Sequence, residues 1–342
     1  MKKINLLIAA ACLAAVSMSC TKDDEIIPES GPLTVPLTVN IGTVATRATG
    51  VGSEDMTLSN VQVIVYNEAG RLEKSTNLMT NKTTLTLDVL PGKKTVWAVA
   101  NILSKINEST IPSPADLSSK IYDLGDNAKN KLAMSGWAEK IVTLDDSSME
   151  LNVKHLACKV VLDGIKRNYT NQDYANIPLT VKKIYMSNVA GRCSFGCEGE
   201  MPSVWYNMLG DIPSDLSASV KALTVDDGLN ISLAEGASYT TTHTFYVYPN
   251  PSVDTAVGGT WSPRLTRLVL ECDYGGKTCY YPVSIPGPMV RNKVYHISLL
   301  TLTKPGSTSK DDPQNEVSST ISFSVQIKVA DWEGDTSYTE QY

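Results

Sequence analysis

From Leu33 to Ile41 the apolar residues Leu33, Val35, Leu37, Val39 and Ile41 alternate with Thr34, Pro36, Thr38 and Asn40, so all five share one face of an extended strand. The same alternation returns near the C-terminus in Ile321, Phe323, Val325, Ile327 and Val329. Between these segments, short apolar or alternating runs are separated by Gly, Pro, Asn and Asp, the pattern of strands and tight connections. Strands are predicted over Val61 to Tyr66, Thr84 to Leu90, Thr95 to Asn101, Lys140 to Leu144 and Leu151 to Leu162. A second series covers Leu179 to Asn188, Tyr239 to Tyr248, Thr266 to Tyr274, Lys277 to Ile285, Lys293 to Thr303 and Ile321 to Asp331. One helix is predicted over Pro114 to Tyr122, with Ser113 as its N-cap. The two series meet near residue 150, which predicts an all-β chain with one β-sandwich over 48–150, another over 151–342 and little helix. Ser194 to Asp215 and Lys304 to Ser318 read as long polar loops.

The N-terminus has a different pattern. Lys2 and Lys3 precede an unbroken apolar run from Leu6 to Val16, too short for a membrane span, so residues 1–19 read as a signal peptide. Ser17-Met18-Ser19-Cys20 resembles a lipobox, at which Cys20 becomes the first mature residue and carries lipid (palmitate among its acyl chains) on thiol and amine. Cys20 to Glu25 fits either the acidic signal that sends Bacteroides-type lipoproteins to the outer face of the outer membrane or a solvated tether. Residues 20–47 are then a lipidated propeptide.

The two alternating strands could fill the same five-pocket groove. Pro36 cannot donate a ladder hydrogen bond, which suits the first strand to a sheet edge from which it can be removed. Two ordinary half-buried strands would show the same alternation. Thr43 to Ser53 is small, polar and Gly-containing, as an exposed connector would be, and Arg47 is the only basic residue between Lys22 and Arg71. Cleavage of Arg47-Ala48 by a trypsin-like protease would detach the lipid anchor and the first strand together; a merely solvated linker Arg is the plain alternative.

Charge and chemistry narrow the function. The chain has 342 residues and a formal net charge of -6, with no block of Lys and Arg, which argues against a nucleic-acid partner. Its three His, at 155, 243 and 296, fall in no metal-ligand spacing. Beyond Arg47 there are five Cys. A Gly275-Gly276 turn would set Cys272 opposite Cys279, about 5.5 Å apart in a hydrogen-bonded pair, tolerable for a disulfide; two small buried apolar residues are the alternative. Cys193 and Cys197 could bridge a loop, and they lack the spacing of zinc ligands. Gly92 to Thr95 is not a phosphate-binding loop, Ser194 sits at the wrong offset for a nucleophile elbow, and Asp145-Asp146 and Asp311-Asp312 read as solvated turns. No catalytic residue, metal or cofactor is expected.

A series of patches, in order, resembles the fimbrillin family, the pilins of Bacteroides-type (type V) pili. They are the lipobox at Cys20, Thr46-Arg47-Ala48, Leu132 to Gly136, Lys154 to Leu162, Phe245 to Asn250, Val290 to Tyr295 and Val329 to Trp332. The resemblance implies two transthyretin-like β-sandwich domains and an outer-membrane lipoprotein precursor that becomes part of a cell-surface fimbrium for adhesion and biofilm. It further implies Arg-specific cleavage at Arg47-Ala48 and polymerisation by strand exchange, with Ile321, Phe323, Val325, Ile327 and Val329 entering the groove of a neighbouring subunit. The partners it implies are further copies of the chain, tip and anchor subunits, the protease and the outer membrane. Lys154-His155 and Pro249 depart from the family pattern. A non-enzymatic shaft subunit is the reading that follows, with an anchor or tip subunit, or a monomeric glycan-binding surface lipoprotein, as alternatives.

Overall fold

The computed structural model describes residues 33–43, 57–197, 199–312, 323–324, 326–331 and 334–341, the last three stretches by their backbone pairing alone. In chain order the strands begin with β1 (Val35–Thr43), β2 (Asn60–Asn67), β3 (Leu72–Ser75), β4 (Met79–Thr80), β5 (Thr84–Val89), β6 (Gly92–Ala100), β7 (Ile121–Asp123), β8 (Met134–Val142) and β9 (Ser148–His155). They continue with β10 (Cys158–Leu162), β11 (Ile165–Arg167), β12 (Leu179–Ser187), β13 (Val189–Ala190), β14 (Arg192–Ser194), β15 (Trp205–Tyr206), β16 (Val225–Asp226), β17 (Ile231–Ser232), β18 (Ser238–Tyr239) and β19 (His243–Val247). The last are β20 (Arg267–Tyr274), β21 (Lys277–Ser284), β22 (Lys293–Ile297), β23 (Leu300–Leu302), β24 (Phe323–Ser324), β25 (Gln326–Asp331) and β26 (Gly334–Gln341). The α-helices are short: α1 (Pro114–Ser118), α2 (Gln172–Ala175) and α3 (Ala218–Thr224). The fold is all-β, as its alternating pattern predicts.

The strands up to β9, apart from β7, form one sheet in the order β3-β2-β6-β8-β9-β1-β5, with β4 also on β2. After β9 the chain builds new sheets: β19-β10-β22-β25-β26, β18-β11-β23-β24, and β16-β12-β20-β21 with β17 on β12. Thr34–Tyr342 forms one compact unit that holds separate hydrophobic cores. One core lies wholly within residues 35–153; the largest runs from Ile64 to Leu302.

Several predicted boundaries move for physical reasons. The run Leu151 to Leu162 is two strands in different sheets, β9 and β10, because the chain turns at Leu156-Ala157, where the Leu156 N–H donates to Ala133 and the Ala157 carbonyl accepts from Asn292. Lys293 to Thr303 likewise breaks into β22 and β23 opposite Gly164, where a Cβ would lie 3.1 Å from the Tyr239 carbonyl. β8 starts at Met134 rather than Lys140, and β9 passes through residue 150. The helix at Pro114 forms with Ser113 and Asp116 as a reciprocal capping box, and ends at Ser118. The short helices α2 and α3 were not expected; the latter is capped by the Ser217 side chain accepting from the Val220 N–H.

Candidate assembly site

β1 is held on both sides. It pairs antiparallel with β5 from Val35↔Val89 to Asn40↔Thr84, and parallel with β9 from Thr38↔Ser148 to Thr43↔Val153. The expected sheet edge is therefore corrected: β1 is an inner strand. The ladder explains how Pro36 is tolerated there. Odd positions bond toward β5, as in the Ile41 N–H to the Thr83 carbonyl (2.7 Å), and even positions toward β9, as in the Thr38 N–H to the Ser147 carbonyl (2.8 Å). Pro36 would donate on the β9 side, but β9 pairing begins only at Thr38, so the missing donor leaves no ladder bond broken.

The side chains divide as the alternation predicts, with one exception. Val35, Leu37, Val39 and Ile41 are at most 5 % exposed. Their core also contains Val61, Val63 and Val65 of β2 and Val96, Ala98 and Ala100 of β6. Leu33, the fifth expected knob, is 67 % exposed because it precedes the first paired residue, so it fills no pocket. Four buried aliphatic side chains contribute about 6–12 kcal/mol gross at about 1.5–3 kcal/mol each. On the other face, Asn40 donates to Glu150 (2.9 Å) and accepts from Thr84 (3.0 Å) in a solvated ladder. A strand with four buried plugs, lying between two strands, would leave on removal an apolar groove with two open hydrogen-bonding edges. Cys20, Arg47 and Ala48 lie outside the described residues.

At the other end of the chain, β25 pairs antiparallel with β22, and β26 folds back outside it. Phe323 registers with Leu302, Ile327 with Ile297 and Val329 with Tyr295; Ile321 and Val325 lie outside the described residues. This segment departs from a pinned stem. Asp311, expected in a solvated turn, is 2 % exposed and takes Arg264 (2.9 Å), Arg267, the Asn188 amide (2.9 Å) and the Gly258 N–H (3.0 Å) on its carboxylate. Burial lowers the pKa of Arg267, and Asp311 opposes the shift. The triad was illegible in the sequence because its arginines stand far from Asp311 along the chain.

The five described cysteines are free thiols. Cys272 does lie directly opposite Cys279 across the Gly275-Gly276 turn, whose two glycines both adopt positive φ. That pair and the Cys193–Cys197 pair are nonetheless thiols in contact rather than disulfides. Burial pushes the Cys272 thiol up, and the hydrogen bond to Cys197, with burial, raises Cys193. Arg291 stands near Cys158, Cys193 and Cys197 and donates to the His155 carbonyl (2.9 Å), the Ser135 carbonyl (3.0 Å) and the Phe195 carbonyl (3.2 Å). Among the described residues, no three His, Cys, Asp or Glu side chains are placed to hold a metal ion.

Two family models match the chain. One, described as the major fimbrial subunit protein (FimA), covers residues 33–182; the other, the C-terminal part of fimbrillin, major fimbrial subunit protein type IV, covers residues 274–337. Among solved structures, the fold is similar to a candidate cell adhesion protein of Bacteroides eggerthii, with a TM-score of 0.61 and 20 % identity over 87 % of this chain and 96 % of that one. It is also similar to a fimbrilin (FimA) of Porphyromonas gingivalis W83, with a TM-score of 0.58 and 18 % identity over 87 % of this chain and 97 % of that one. A fimbrial assembly protein of Parabacteroides distasonis gives a TM-score of 0.50 and 14 % identity over 91 % of this chain and 100 % of that one. At these identities the likeness is one of fold. No curated protein matches.

Proposed function

Because the chain belongs to the major fimbrial subunit family, whose members are structural subunits of cell-surface fimbriae, we propose that it is a shaft subunit that polymerises by strand exchange. In this reading it is exported as an outer-membrane lipoprotein precursor anchored through Cys20, and an Arg-specific protease cuts Arg47-Ala48. β1 then leaves with the lipid, and the C-terminal strand of a neighbouring subunit takes its place, with Ile321, Phe323, Val325, Ile327 and Val329 as its apolar face. The subunit in this reading has two sandwich domains, 48–150 and 151–342, with β9 and β10 at the passage from one to the other. Tip and anchor subunits would complete the fibre.

The observation that carries this reading is β1 itself. It places four buried plugs, Val35, Leu37, Val39 and Ile41, in a slot between β5 and β9, and it is joined to the body through the segment that contains Arg47. An incoming strand with the same alternation would recover both ladders and refill the pockets. A contact of this head-to-tail kind does not close on itself, so it builds open filaments. The pairing of β25 with β22 favours a second reading, in which the C-terminal segment stays in its own sheet and the chain acts as a monomeric surface lipoprotein.

One experiment separates them. The chain from Thr21 onward, treated with a trypsin-like protease, is sequenced at its new N-terminus and run on a non-boiled denaturing gel beside a variant truncated after Thr320. The expected result is a terminus at Ala48 and a ladder of multimers that the truncation abolishes. Clean cleavage at Ala48 that yields only monomers would overturn the shaft reading, as would resistance at Arg47, which fits an anchor.

A further inference from the structure

β6 turns Val96 and Ala98 into the core that holds β1 and Trp97 to its opposite face. The β6–β8 register sets Trp97 directly across from Trp137, and Thr95 across from Glu139. The two indoles stack, with centroids 6.2 Å apart and planes at 23°. Trp97 is buried, whereas Trp137 is 58 % exposed. They form one wall of an open cleft of about 510 Å³ that α1 also lines, together with Glu139, Ser194 and Glu200. That volume lies in the range of small-molecule sites. β8 pairs with β9 only at Met134 and Ser135, so the Trp137 rim of the cleft is not covered by a neighbouring strand among the described residues.

Folding alone does not account for this arrangement. Cross-strand stacking on Trp97 explains part of the placement of Trp137, yet more than half of that indole stays in water. The Trp97 indole N–H is buried with no hydrogen-bond partner among the described residues, a cost that a native fold rarely leaves unmet. An exposed aromatic platform bordered by carboxylates and hydroxyls suits a ligand with one apolar C–H face and a rim of hydroxyl groups. The indole face would pack the C–H surface, and Glu139 and Glu200, both lining the cleft, would accept from hydroxyl donors; Lys93, 2.9 Å from Glu139, pairs with that carboxylate from outside the lining. Glu139 and Glu200 together outnumber the single Lys93 beside them, a net negative charge that disfavours an anionic sugar.

We propose that the Trp97–Trp137 cleft is a binding site for a neutral hexopyranose of a glycan chain, with Trp137 as the stacking platform and Glu139 as the hydroxyl acceptor. The site is complete within one uncut chain, so it does not depend on strand exchange.

The test is a titration of the uncut, 15N-labelled chain from Thr21 onward with maltose and lactose, and with glucuronic acid as the anionic comparison, following the indole N–H signals. Neutral sugars are expected to shift the Trp97 and Trp137 signals and leave Trp205 and Trp261 unmoved. Trp137→Ala should weaken binding at least tenfold with the remaining spectrum unchanged, Glu139→Gln should weaken it several-fold, and glucuronic acid should bind at least tenfold more weakly than maltose. The proposal is overturned if no neutral sugar moves either indole signal up to its solubility limit. Undiminished binding by both variants, or equal binding of the acid, would overturn it as well.

Discussion

At the scale of single residues, burial imposes chemistry that the composition does not show. Tyr66, Tyr169, Tyr185 and Tyr295 sit in the interior, and desolvation of the phenolate pushes their pKa values upward. Tyr122 of β7 is only half-buried, beside Phe195, and is pushed up to about 12 by burial and the Asp126 carboxylate, against the N–H of Leu103 that favours its phenolate. The sign follows from linkage: a folded-state pKa above the ordinary value of 10 means that the native protein keeps a proton the unfolded chain has lost. Stability from this group is complete below pH 10 and drains away between pH 10 and 12. In Tyr122→Phe there is no proton to lose, so chemical denaturation as a function of pH should show a decline shallower by up to one proton across that window, and an unchanged slope below it. Asp311 shows the limit of reading residues along the chain. An Asp-Asp pair in a polar loop reads as solvated, and only the fold brings Arg264, Arg267 and Asn188 onto its carboxylate.

At the scale of elements, β1 has two lives if the proposed exchange occurs, and one substitution distinguishes them. Leu37 is fully buried in β1. Leu37→Ala should destabilise the uncut chain by about 2–5 kcal/mol, the usual cost of emptying a buried leucine site. In a subunit cleaved after Arg47 and joined to a neighbour, residue 37 is gone, so wild type and variant should unfold at the same denaturant concentration. A difference that persists after cleavage would mean that β1 stays bound. Strands such as β2, β20 and β21 were legible to within about a residue or two because β-branched or alternating runs end at Asn, Gly or Pro. α3 was not, since Ala218-Ser219-Val220-Lys221 carries no strong period and its start rests on one Ser217 cap. Pairing order was not legible either. Nothing local in β1 records that β9 runs parallel to it, or that Leu33 falls before the first paired residue, because partners are chosen by contacts far apart in sequence.

At the scale of the whole molecule, the separation of cores decides what losing β1 would do. Val35, Leu37, Val39 and Ile41 all belong to the core within residues 35–153, and none contributes to the large core that runs from Ile64 to Leu302. Removing β1 therefore opens one core and leaves the other with its side chains in place. Among the described residues β5 then loses its strand partner, and β9 keeps only its short pairing with β8 at Met134 and Ser135. The strands β12, β20 and β21 form a separate ladder packed on the large core, untouched by the cut. Local opening follows such differences in packing. Hydrogen exchange on the cleaved monomer of the Thr320-truncated chain should show fast exchange at β5 and β9 while β12, β20 and β21 stay protected. Adding a synthetic peptide of residues 319–331 should restore protection at β5 and β9, since an entering strand rebuilds both ladders. Uniform protection after cleavage would mean that the groove does not stay open, and uniform loss would mean that the two cores unfold as one.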